Sequence, residues 1–289
     1  MKHTLLRLLV TLGLLPVSVL AQERVDRYFV TYDHYMEEPG TLEISVSPVL
    51  GRAEGINNFT GYLAEFEYGA TKRWTTEFYL DWQHTQHEGS LFTGWRFENR
   101  FRPFLETRRV NPVLYVEYEH LNGADKTLKE IVGFDSKEDL RVPNSVARHE
   151  TEHEFETKLI LSSEIGQWNL AENFIGVKNI HEGQWEFGYA LGLSRPLKAP
   201  VGNRCTFCAE NFAAGVELYG GLGTWSKFTL RGTSQYVAPL LVWTLPSETT
   251  IRVSPGWGLT DESVTTLFRI GVSQEIDDFA HKIGKIFRR

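Results

Sequence analysis

From Trp74 to Arg102 the chain alternates apolar and polar residues with a period of two, and much of the polar set is charged. Trp74, Thr76, Phe78, Leu80 and Trp82 fall on one side, with Thr75, Glu77, Tyr79, Asp81 and Gln83 on the other. After a short polar loop, Leu91, Thr93, Trp95, Phe97 and Phe101 oppose Gly94, Arg96, Glu98, Arg100 and Arg102. Successive strand side chains point to opposite faces, so the pattern predicts two strands, each with one greasy face and one ionised face. A soluble sandwich turns its apolar faces inward. An outer-membrane barrel turns them to lipid and lines its interior with charge.

The same alternation recurs along the chain between turn residues. The runs start at Leu42, Tyr62, Leu114, His153, Trp168, Trp185, Phe212, Tyr236, Ile251 and Val264. With the opening pair they predict an all-β fold, an antiparallel transmembrane barrel of about twelve strands, an even number as bacterial barrels require. The run Trp168 to Val177 has no clean phase, because one face mixes Glu172 with Leu170 and Phe174, and the reading allows a bulge there. Connections near Ala70 to Lys72 and Pro246 to Glu248 are short and expected on the periplasmic side. Gln83 to Ser90, Asn122 to Ala147 and Gly223 to Thr233 are longer and expected outside the cell. The segment Asn122 to Ala147 reads as a charged surface loop with a weakly helical patch from Lys126 to Val132. Pro196 to Asn211 is long where a short periplasmic turn is expected.

The start of the chain sets the compartment. Lys2, His3 and Arg7 precede an apolar run from Leu8 to Leu20, and Val19 and Ala21 are small residues suited to cleavage. This predicts a signal peptide over 1–21, a barrel domain over 22–276 and a short periplasmic amphipathic tail over 277–289. Loss of Lys2 and Arg7 leaves 28 basic residues against 37 acidic ones, a formal charge of −9. That balance argues against nucleic acid as a partner. Eight Trp, 11 Tyr and 18 Phe accompany a slightly negative mean hydropathy, the composition of a barrel with two unlike faces.

The strings Ala238-Pro239-Leu240-Leu241-Val242-Trp243, Ile251-Arg252-Val253, Gly258-Leu259-Thr260-Asp261-Glu262-Ser263 and Leu267-Phe268-Arg269-Ile270-Gly271-Val272-Ser273 resemble a known group. It is the MetA-pathway-of-phenol-degradation, or transporter-like, family of outer-membrane barrels. Glu65 to Trp74 is similar to a hairpin of that group. The resemblance implies a barrel in the outer membrane that passes small organic molecules, and it transfers no catalytic residues. Such barrels commonly end on an aromatic residue, whereas the last strand here ends at Ile276.

The strongest chemical feature is the inward-facing charge. If the turn at Thr71 centres its hairpin, Glu65 faces Glu77, the next loop brings Arg96 beside Glu77, and Glu117 follows next to Arg96. That row forms a belt, with Asp81, Glu98, Arg100, Glu119, Glu154 and Lys158 above and below it. It reads either as pore lining with selectivity or as ion pairs that fill a plugged lumen.

Cys205 and Cys208 lack the following His of a haem site and predict a small disulfide. His84 and His87 lie three apart in a loop and read as solvated rather than as a metal site. No metal site and no cofactor is expected. His120 and His153 have no Ser or Asp spaced to complete a hydrolase site, so the sequence does not read as an enzyme. The expected function is a passive channel or transporter for small organic or cationic solutes. The alternatives are a structural or adhesive plugged barrel, an outer-membrane hydrolase and a soluble sandwich. Expected partners are outer-membrane lipid, small solutes and the assembly machinery that inserts such barrels.

Overall fold

The computed structural model describes residues 27–181, 183–198 and 205–286; the predicted signal peptide, 1–21, lies outside them. Among these residues thirteen strands form. They are β1 (Leu42–Arg52), β2 (Phe59–Thr71), β3 (Trp74–Thr85), β4 (Gly89–Phe101), β5 (Asn111–Asn122), β6 (Thr151–Ile165), β7 (Trp168–Asn179), β8 (Glu186–Pro196), β9 (Phe212–Thr224), β10 (Lys227–Phe228), β11 (Gln235–Thr244), β12 (Thr249–Gly258) and β13 (Thr266–Ile276). Twelve of them form the wall, each antiparallel to its neighbours, while the two-residue β10 only extends β9 in a hairpin. β13 pairs back onto β1, from Leu42 opposite Ile276 to Arg52 opposite Thr266. The sheet has no free edge, which rules out the sandwich.

The faces follow the charge alternation. Thr75, Glu77, Asp81, Gln83 and Thr85 of β3 are buried, whereas Trp74 and Phe78 are exposed. The same holds around the wall, with Val46, Phe66, Leu114, Phe174, Leu241 and Val272 among the exposed apolar residues. An apolar exterior around a polar interior is the reverse of a water-soluble protein and suits a protein of the outer membrane.

Three details of the predicted strands are corrected. In β4 a bulge at Gly94 (φ +154°) shifts the pairing between Asp81 and Trp82, so Thr93 turns inward at 2 % exposure and Phe92 outward at 57 %. Only a residue without Cβ fits there, since a Cβ would lie 2.1 Å from the His120 carbonyl oxygen. β7 pairs with β6 without a bulge, with Asn169, Ala171, Asn173, Ile175 and Val177 inward and Glu172 on the outer face. The expected row is also out of register. Glu67 faces Glu77, Glu77 faces Glu98, and Arg96 faces Glu119. Each predicted pair is displaced by two residues, which leaves every side chain on its predicted face because the strand repeat is two.

Two segments enter the lumen. Residues 27–41 form a strap that starts beside Glu164 at the short-turn end, rises to mid-barrel and returns to the same end. There Gly40 N–H donates to the Gly69 carbonyl (2.8 Å). Residues 123–150, which join β5 to β6, fold in from the long-loop end and bury Ala124, Lys126, Lys129, Ile131 and Val132. This segment was expected as a surface loop. Its stretch 126–132 has no regular secondary structure, with Leu128 in the left-handed region (φ +47°), and the α-helix the segment does contain, α1 (Asn144–Ala147), is only four residues long. Glycines in the wall make room for both insertions. A Cβ at Gly61 would sit 2.2 Å from the Lys126 carbonyl oxygen, and one at Gly69 would sit 2.0 Å from that of Glu38.

Helix α2 (Phe279–Ile286) follows β13, and Phe279 N–H donates to the Gly40 carbonyl (2.9 Å). The tail therefore begins against the short-turn rim.

Candidate functional site

The lumen gathers the charges of β2 to β6 around residues of the two insertions. Arg96 is the hub on the loop side. Its guanidinium lies 2.5 Å from Glu119, 3.3 Å from Glu130, 3.4 Å from Asp81, and 3.6 Å from both Glu117 and Asp125. Two of these partners, Asp125 and Glu130, belong to the inserted loop. A planar guanidinium serves several carboxylates where an ammonium acts as a point charge.

Two loop-side ammonium groups complete the network. Lys129 of the loop reaches Glu117 (2.8 Å), Glu130 (3.3 Å) and Glu98 (3.5 Å), and Lys158 of β6 reaches Glu130 (2.6 Å) and Glu156 (2.7 Å). Towards the short-turn end Arg100 pairs with Glu77, with Glu67 (2.7 Å) and with Glu98 (3.2 Å). Tyrosine rings separate these layers. Lys129 Nζ sits 4.4 Å from the Tyr79 ring, and Lys158 Nζ sits 4.0 Å from that of Tyr115 and 4.6 Å from that of Tyr32. The Tyr79 hydroxyl donates to Glu98 (2.6 Å) and to Glu77.

Glu130 shows the balance of forces here. Burial would raise its carboxyl pKa, but Lys129, Lys158 and Arg96 outweigh burial and hold it down at about 2. Glu130 is therefore charged at neutral pH and fastens the loop to Arg96 of β4 and Lys158 of β6.

The strap is held differently. The Glu217 carboxylate of β9 accepts the backbone N–H groups of Phe29 (3.2 Å), Val30 (2.9 Å) and Thr31 (2.8 Å). Asn173 both accepts the Tyr32 N–H (2.7 Å) and donates to the Tyr32 carbonyl (2.8 Å), as a neighbouring strand would. Arg252 donates to the Tyr28 carbonyl (2.6 Å). Tyr28 packs with Ala171, Leu240 and Val242, and Met36 with Val113, Tyr115 and Ile160.

Between strap, loop and the β1, β2, β12 and β13 wall remains a cavity of about 50 Å³, enough for a few waters at roughly 10–15 Å³ each on this measure. Arg100, Lys129, Arg252, Arg269, Glu65 and Glu67 line it.

All ten charged residues picked from the sequence point inward. Glu77, Asp81, Arg96, Glu98, Arg100, Glu117, Glu119 and Lys158 join the network; Glu65 lines the cavity, and Glu154 lies half-buried opposite Glu119. Glu67 and Glu156 were visible in the alternation but not singled out. Asp125, Lys129, Glu130 and Tyr32 carried no sequence signal, because a loop and a strap show no face until something packs on them. Cys205 and Cys208 form a disulfide with Cα atoms 5.6 Å apart, in the connection between β8 and β9 at the short-turn end.

No protein-family model and no curated protein matches this chain in sequence. Solved structures do match in shape. An outer-membrane channel from Pseudomonas putida F1 superposes with a TM-score of 0.55 at 9% identity, covering 88% of this chain and 100% of the channel. The NanC porin gives a TM-score of 0.50 at 9% identity, over 81% of this chain and all of the porin. At such identities the likeness is one of fold, and the fold is that of an outer-membrane β-barrel.

Proposed function

We propose that this chain is an outer-membrane channel for small solutes, held closed here by two withdrawable insertions. The observation that carries the reading is what fills the lumen. A barrel of about eight strands is filled by its own side chains, but this twelve-stranded wall accommodates two additional passes of backbone. The space they occupy is a pore in waiting. With the insertions displaced, Glu65, Glu77, Asp81, Arg96, Glu98, Arg100, Glu117, Glu119, Glu154 and Lys158 line it. Carboxylates outnumber cations in that set, which favours cationic over anionic solutes. The resemblance to the phenol-degradation group adds small organic molecules as cargo, and a closed antiparallel barrel supports the reading that the outer-membrane assembly machinery is a partner.

The test is conduction across a planar bilayer. The closed state predicts small or rare currents from the native chain and larger, cation-preferring currents when Arg96 is replaced by Met. A second reading is a structural barrel with a permanent plug, favoured by the density of buried ion pairs. Absence of conductance and solute flux in both proteins would establish it over the channel.

A further inference from the structure

The cavity between strap, loop and wall reverses the charge balance of the pore lining. Four cationic side chains, Arg100, Lys129, Arg252 and Arg269, line it against two carboxylates, Glu65 and Glu67. Arg100 and Lys129 are already bound to acids of β2, β3 and β5. Arg252 and Arg269 come from β12 and β13, where their buried neighbours Ser254, Gly271 and Ser273 carry no charge. The pairing of these strands sets Arg252 opposite Gly271, two residues from Arg269, so the two arginines are diagonal neighbours on one face. Gly271 leaves space beside them, since a Cβ there would stand 3.1 Å from Arg252 Nε and 3.3 Å from Ser47 Oγ.

Both arginines donate to carbonyls of the insertions. Arg252 reaches Tyr28 of the strap (2.6 Å), and Arg269 reaches Leu128 (2.5 Å) and Thr127 (3.5 Å) of the loop. Among the described residues Arg269, 7 % exposed, forms no ion pair, and its Nε has no hydrogen-bond partner. Thr31 of the strap, 5 % exposed, lines the same cavity, and its hydroxyl has no partner among them either. A buried donor left without an acceptor is costly, most of all when it is charged. One anion can answer both. The cavity of about 50 Å³ takes roughly four water-sized positions, the size of formate or acetate. A carboxylate also matches the planar guanidinium fork through two parallel bonds. Glu65 and Glu67 alongside disfavour a second negative charge.

We propose that Arg252, Arg269 and Thr31 form a binding site for a small monovalent carboxylate, which latches the two insertions to the β12–β13 wall. The strap supplies Thr31, the loop carbonyls hold Arg269 in place, and the wall supplies the charge. Because the ion binds only when all three meet, it stabilises the closed arrangement by mass action. The site stands apart from the channel reading, since a permanently plugged barrel would bind the ion equally and its binding is measured without conduction.

The experiment uses the full chain, folded in detergent and titrated with sodium formate or sodium acetate in place of sodium chloride at constant ionic strength. Hydrogen exchange over 27–41 and 123–150 is followed together with the unfolding midpoint. The expected result is saturable protection. At ten times the dissociation constant, exchange in both segments should slow by about tenfold relative to chloride, while benzoate, too large for the cavity, should give no protection. Arg269→Met should abolish the response. Thr31→Val, which keeps the side chain's shape, should weaken binding by about fivefold, and Glu65→Gln, which removes a neighbouring negative charge, should tighten it. Retained heat-modifiability on gels confirms that each barrel is folded, and Thr31→Val and Glu65→Gln decide the matter if Arg269→Met does not fold. The proposal is overturned if formate and acetate protect no better than chloride, as a cavity that holds only water requires. It is equally overturned if Arg269→Met or Thr31→Val responds as the native chain does, or if Glu65→Gln binds no tighter.

Discussion

On the β2–β6 side of the lumen the inserted loop meets the wall through full charges, with Asp125, Lys129 and Glu130 set among Arg96, Glu117 and Lys158. On the β7–β9 and β11–β12 side the strap meets it through its own backbone, capped by Glu217, Asn173 and Arg252, and through apolar side chains such as Tyr28 against Leu240 and Val242. Both insertions fill the same lumen, but they are held by different forces. Buried ion pairs gain little net stability yet are costly to break one-sidedly, whereas a capped backbone depends on each donor keeping its acceptor. The two insertions should therefore open under different conditions.

Replacing Glu217 with Ala should have the largest effect, on the strap alone. It orphans three backbone donors, at about 1–3 kcal/mol each if they stay buried. Hydrogen exchange over 27–41 should speed up while exchange over 123–150 stays slow; equal loss of protection in both would show that the insertions move as one. Arg96→Met should act on the other side. It leaves Asp81, Glu117, Glu119 and Glu130 short of a partner, with a penalty of about 3–5 kcal/mol. Trypsin should then cut at Lys126 or Lys129, which are buried in the native chain.

Acid should separate the two by degrees. Burial lowers the pKa of His34 on the strap to about 4, against the pull of Glu164. The strap's preference for neutral His34 is complete above the ordinary histidine pKa of about 6.5 and is lost as pH falls towards 4. Glu130 is held down at about 2, so its contribution is complete above the ordinary carboxylate pKa of about 4.5 and is lost as pH falls towards 2. Exchange measured along a pH series should therefore loosen the strap before the loop, and the reverse order would contradict the comparison. The smallest effect is expected from reducing Cys205–Cys208. That bridge joins positions three apart outside the lumen, so conductance should not change.

Which face each wall strand turns inward was legible at most positions, because a period of two assigns a face whatever the partner strand does. Glu77, Arg96 and Glu117 all point inward although the expected pairing among them is displaced by two residues. The exceptions sit where the period is interrupted, as at Gly94, or where a lipid-facing carboxylate, Glu172, blurs the contrast. The insertions were not legible. Lys126 to Val132 reads as a weakly helical patch in a charged surface loop, and its burial depends on Gly61 leaving room and on Arg96 and Lys158 supplying charge from strands distant in sequence.

By itself the sequence determined a barrel of about twelve strands with an apolar exterior and an ionised interior, because alternation is a local property of extended chain. Tertiary structure decided whether that interior is open, and it also brought Thr31, Arg252 and Arg269 to one cavity. Occupancy of the lumen and convergence of side chains depend on which distant segments meet, and register, bulges and loop entry set those meetings.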